Sequence, residues 1–143
     1  MNIAQTSANQ NHGPRILVAS EHPVEALALE SLLRAEHYLD VRVTTDVREI
    51  SPMYVRWPFD ILVLDMHSKL LDGITVLQNL TQSISSSQLS VLALVNPDAE
   101  QERIAALAAG AVDTLIRPLC HEDVLPRIKQ AHNTERRLEA ERA

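Results

Sequence analysis

Asp65 closes the apolar run Phe59-Asp60-Ile61-Leu62-Val63-Leu64 and opens the loop Met66-His67-Ser68-Lys69-Leu70-Leu71-Asp72-Gly73. A carboxylate at the C-terminal end of a buried strand stands where open α/β sheets bind ligands and do chemistry. Three other short apolar runs deliver polar groups to the same edge. Ser20 and Glu21 follow residues 16–19, Asn96 follows Val95 at the end of 91–95, and Arg117-Pro118 follow 112–116. Two acids, Glu21 and Asp65, with one cation, Arg117, could hold a divalent metal and meet a phosphoryl group. Hard oxygen donors suit Mg²⁺, which takes one or two carboxylates and completes its shell with water.

The elements that must position these groups alternate five times between a short apolar strand and a helical stretch. The strands read as 16–19, 41–44, 61–64, 91–95 and 112–116. Ser20 reads as a helix cap, with Pro23 near the first turn and Ala26, Leu27, Leu29, Leu32 and Leu33 at helical spacing. Residues 47–57 predict a short or irregular helix, because Pro52 interrupts it and Pro58 ends it. Asp72-Gly73 turns into a helix carrying Ile74, Val76, Leu77 and Leu80, which fades into the serine-rich loop 83–87. Asn96-Pro97-Asp98 starts an alanine-rich helix with Ile104, Leu107 and Ala108, stopped by Gly110. The last helix starts near His121, with Val124, Leu125, Ile128 and Ala131 on one face. Pro126, deeper than its first turn, predicts a local distortion. Strands apolar throughout are buried on both faces, which requires a parallel sheet flanked by helices. Right-handed crossovers then favour a doubly wound, flavodoxin-like α/β fold: five parallel strands in the order 2-1-3-4-5, with five helices.

Composition narrows the classes. The 143 residues fit one domain, and a chain of this size buries roughly 68–70% of its unfolded surface. Hydrophobic content of 45% with only 3% aromatic predicts a core of Leu, Ile, Val and Ala. The single Cys120 excludes an internal disulfide and fits a reducing cytoplasm. No apolar run approaches the ~20 residues of a membrane span, and the polar start does not read as a signal peptide. The net charge of −6 argues against direct nucleic-acid contact. Three glycines build neither a phosphate-cradling loop nor a dinucleotide fingerprint. A small flavodoxin-like enzyme or nucleotide binder is therefore the third reading. The six histidines lack ligand spacing and read as surface residues. Residues 1–14 read as a disordered tail, 15–132 as the domain, and 133–143 as a charged helical extension or linker.

Residues 16–23, the Asp65 strand with its following Asp72-Gly73, and Gly110-Ala111 through Arg117-Pro118 resemble the receiver domain of bacterial two-component response regulators. The resemblance spans roughly residues 15–132. It implies that Asp65 accepts a phosphoryl group from a histidine kinase or phosphotransfer protein, assisted by Mg²⁺. It places Glu21, Asp65 and the backbone carbonyl of His67 as metal ligands, and Arg117 at the position of a phosphate-neutralising lysine. Three family features are altered. Ser20 replaces the first acid of a metal-binding pair, Val95 replaces a hydroxyl that reads the phosphate, and Thr114 replaces an aromatic switch residue. One carboxylate fewer predicts weak Mg²⁺ binding, and Arg117 has the further option of an ion pair with Asp65 or Glu21.

The resemblance implies signalling through protein contacts rather than an enzyme, with chemistry limited to self-phosphorylation at Asp65. Its partners would be a histidine kinase, a C-terminal effector domain outside these residues and, at the surface around 104–109, a second copy. Without the Val95 hydroxyl and the Thr114 ring, the alternative is a phosphorylation-independent pseudo-receiver used for dimerisation or docking.

Overall fold

The computed structural model describes residues 13–85 and 88–142, with side chains described up to residue 133. Most of the proposed tail, residues 1–12, and the side chains of the charged extension lie outside the described residues. Pro14, at the end of that tail, is buried.

Five strands form one parallel sheet: β1 (Ile16–Ala19), β2 (Val41–Thr44), β3 (Ile61–Asp65), β4 (Ser90–Val95) and β5 (Asp113–Ile116). Their order is β2-β1-β3-β4-β5. Among the described residues five α-helices flank it: α1 (Pro23–Ala35), α2 (Ile50–Arg56), α3 (Gly73–Ser83), α4 (Glu100–Ala108) and α5 (His121–Arg142). A 3-10 turn, Val47–Glu49, precedes α2. Pro52 is accommodated in the first turn of α2, where its missing N–H is not needed. The α5 assignment runs unbroken through Pro126 to Arg142.

Strand alternation sorts the core into two layers. Ile16, Val18, Ile61, Val63, Leu92, Leu94 and Leu115 pack with Ala26, Leu29 and Leu33 of α1 and Val124, Ile128 and Ala131 of α5. Leu17, Ala19, Leu62, Leu64, Val91, Ala93 and Val95 face the other way, toward α2, α3 and α4. The same alternation directs the strand ends. Ser20 continues the set 16, 18; Asp65 continues 61, 63; Arg117 continues 115. All three therefore lean toward the layer that contains α1.

Two contacts fix the elements nearest the site. Gly73 opens α3 against the backbone of Met66, where a Cβ would lie 2.8 Å from Met66 Cα and O. Arg34, near the end of α1, donates to the carbonyls of Leu39 (3.0 Å) and Val41 (2.7 Å), tying α1 to the entry of β2. Arg34→Ala leaves both carbonyls to water. We expect a loss of about 1–2 kcal/mol in a urea melt, with faster amide exchange confined to β2.

Two boundaries differ from the sequence reading, and the glycine stop agrees with it. Residues 96–99 stay outside α4, with Ala99 at its cap position. Gly110 stands just past α4 with φ +119°, as a terminating glycine should. Ser20 is not the cap of α1: His22 occupies that position, and the Ser20 hydroxyl is committed elsewhere.

Candidate functional site

Asp65 ends β3 with 1% of its surface exposed, and both carboxylate oxygens are engaged. Oδ1 accepts from the His67 backbone N–H at 3.0 Å. Oδ2 accepts from the Ser20 hydroxyl at 3.0 Å and lies 2.8 Å from Arg117 Nη2. His22 Nε2 stands 3.8 Å from the same oxygen, on a side chain 62% exposed. Ser20 is itself positioned by the His22 backbone N–H, which donates to its Oγ at 3.2 Å.

Arg117 reaches Asp65 from the end of β5, next to a cis bond to Pro118. Its guanidinium is shared with Glu25, a residue that sequence reasoning missed. Nε donates to Glu25 Oε2 and Nη2 to Glu25 Oε1, both at 2.8 Å, while Nη1 donates to Asn96 Oδ1 at 2.9 Å. The fork of a guanidinium matches a carboxylate in a way that a lysine ammonium does not. Burial works against the Arg117 charge, but the hydrogen bonds and negative charges of Glu25 and Asp65 outweigh it and raise its pKa further. Glu25 had a legible signal: it lies four residues before buried Leu29 and next to buried Ala26, at the N-terminal end of the face that α1 turns to the sheet.

Glu21 is not brought to Asp65 by any of these bonds. Its carboxylate accepts from the Ser68 hydroxyl (2.8 Å) and from the backbone N–H groups of Lys69 (2.8 Å) and Leu70 (3.2 Å). It thus anchors the loop after β3 as a carboxylate caught by successive amides. The Lys69 backbone bond, then the Ser68 hydroxyl, hold the Glu21 pKa below its ordinary value. A depressed carboxylate pKa contributes stability above the unfolded value and loses it as pH falls through the folded one. The Lys69 and Leu70 amides should therefore lose exchange protection only at pH below the usual glutamate range. Glu21→Gln should remove that pH step, as read by amide hydrogen exchange.

His67, read as a surface residue, is half exposed but reaches across to α4. Its Nε2 lies 3.1 Å from Glu102 Oε1, a buried oxygen with no aligned hydrogen bond. Val95 is 1% exposed and Thr114 6%. Val95 contributes its carbonyl, which accepts from the Arg117 backbone N–H at 3.0 Å.

The donor set does not fit the Mg²⁺ that the resemblance implies. Of the three expected ligands, Glu21 is committed to the 68–70 loop and Asp65 already faces a guanidinium, which leaves the His67 carbonyl alone uncommitted by these bonds. A divalent ion would have to take Asp65 Oδ2 from Arg117 and Ser20 together, and the carboxylate that Ser20 replaces is not there to help hold it.

The fold matches that of known proteins. The response regulator PleD of Caulobacter vibrioides is 27% identical over 117 residues, covering 82% of this chain and 25% of that protein. The response regulator MprA of Mycobacterium leprae is 34% identical over 115 residues, covering 80% of this chain and 49% of that protein. The chain thus spans half or less of the length of these curated relatives. The crystal structure of a putative response regulator from Chloroflexus aurantiacus superimposes with a TM-score of 0.79 at 25% identity, covering 85% of this chain and 98% of that one. A family model described as the response regulator receiver domain matches residues 16–129. With the 2-1-3-4-5 sheet and an aspartate ending its central strand, the chain belongs to the response regulator receiver domain family.

Proposed function

We propose that this receiver domain regulates an output through protein contacts while its acceptor position is held closed by its own arginine. The observation that carries the reading is the 2.8 Å contact between Arg117 Nη2 and a 1% exposed Asp65 carboxylate, with Glu25 holding the other side of the fork. Arg117 neutralises Asp65 before any phosphoryl group arrives. An incoming phosphoryl group would have to displace a paired guanidinium from a site that offers no Mg²⁺ in return. Val95 has no hydroxyl to meet a phosphoryl group and Thr114 no aromatic ring to move with it, so a modification would have little to shift.

Contacts would be made on α4, β5 and α5. Ile104, Leu107, Val112 and Ile116 are exposed there, an apolar surface for a second copy or for an effector domain. No helix among the described residues is long and apolar enough to cross a membrane, and a cytoplasmic location belongs to the proposal. The second reading keeps Asp65 as phosphoacceptor for a histidine kinase or phosphotransfer protein. One observation favours it: among the described residues Oδ1 accepts from the His67 amide alone and is outside the arginine bridge.

Beryllofluoride and a small phosphodonor, each with Mg²⁺, should leave wild type unmodified by intact mass and its amide shifts unchanged. Modification of wild type but not of Asp65→Asn, with shifts spreading into α4 and α5, would replace this reading with the second.

A further inference from the structure

We infer that the cavity between α1 and the loops after β4 and β5 binds a small organic cation, a primary amine carried on an apolar body. The cavity measures about 520 Å³, within the ~300–1,000 Å³ typical of small-molecule sites. Its walls are apolar, with Leu29 and Leu32 from α1, Pro97 from the loop after β4, and Leu119 from the loop after β5. Its polar groups are gathered in Glu25, Asn96 and Arg117. An apolar sleeve with a few convergent polar groups suits a ligand with a greasy body and one polar head.

Charge selects that head. One guanidinium serves two carboxylates, so the cluster keeps a negative excess. Asp65 is buried, which leaves Glu25, with a side chain 21% exposed, to present that excess to the cavity. Its Oε2 accepts from Arg117 Nε alone among the described bonds and keeps a further acceptor position. An anionic head could reach only Arg117 Nη1, which Asn96 already holds, and would face the negative excess of the cluster. An ammonium meets no such opposition and gains a charge-assisted hydrogen bond at Oε2.

Occupancy would be felt at Asp65. The ammonium shares the Glu25 carboxylate with Arg117, so its charge weakens one side of the guanidinium bridge without displacing it and couples the cavity to the strand end. The inference holds whether or not Asp65 accepts phosphate, because it concerns only the cavity and the charge at its polar end.

The test is an amide-shift titration with two probes sharing one body, tryptamine and indole-3-propionate. Tryptamine should shift residues around the cavity and bind at least about tenfold tighter than the acid, the factor expected for one charge-assisted hydrogen bond. Glu25→Gln should weaken tryptamine by a similar factor. Ala28→Phe, which fills the cavity from α1, should abolish binding. No tryptamine shifts, equal binding of both probes, shifts remote from the cavity, or undiminished binding in Ala28→Phe would each overturn the proposal.

Discussion

Arg117→Ala should cost about 3–5 kcal/mol of stability in a urea melt, and adding Asp65→Asn should return most of that loss. The size follows from burial. Asp65 is 1% exposed, and removing its counter-ion strands a charge, which is far costlier than the pair is worth. Ser20 Oγ and the His67 amide remain as donors, but neither carries charge. Glu25 makes matters worse, because it loses its fork and adds a second negative charge nearby. In the double variant Asp65→Asn puts a neutral amide where the stranded charge stood, so rescue is the diagnostic outcome. Arg117→Lys should fall between, since an ammonium cannot span two carboxylates with paired bonds. A loss under about 1 kcal/mol, the range of a solvated surface pair, would remove the basis for a closed site.

Gly73→Val should cost about 3 kcal/mol, the upper part of the range for overpacking. It should also move the acceptor loop. A Cβ at residue 73 meets Met66 backbone atoms at 2.8 Å, and backbone cannot step aside as a side-chain tip can. The strain passes to Met66 and His67, whose amide holds Asp65 Oδ1. The amide shift of His67 is the local readout, and the urea midpoint the global one. An unshifted His67 amide would mean that α3 moves instead of the loop. Gly73→Ala should show the same pattern at smaller size.

The sheet was legible because its strands are short runs of branched apolar residues, and burial on both faces leaves few topologies. The strand-end placement of Asp65 and Arg117 followed from that pattern, as did the option of an ion pair between them. Glu25 does not directly follow a strand, so strand-end position does not reveal it, yet a carboxylate in the first turn of α1 reaches the same point. Glu21 shows the opposite limit. Its position next to the strand end suggested a ligand, but three donors on the 68–70 loop compete for it. Sequence spacing carries no record of which donors a loop will present. Ser20 was given to the helix for the same reason: a hydroxyl after a strand suits a cap, and here a buried carboxylate claims it.

The chain's one tryptophan lies far from this chemistry. Trp57 is 9% exposed, tilted against Phe59, with the Arg42 guanidinium 4.3 Å and that of Arg15 5.9 Å from its ring. It precedes the start of β3, whereas Asp65 ends that strand, a separation of about 17–20 Å for five residues and their flanks. Its emission is therefore a clean optical gauge of whether the domain is folded. It should stay silent to anything that happens only at the carboxylate. Tryptophan fluorescence can score every variant named above for stability, and a fluorescence change on adding a phosphodonor would signal a rearrangement of the whole sheet.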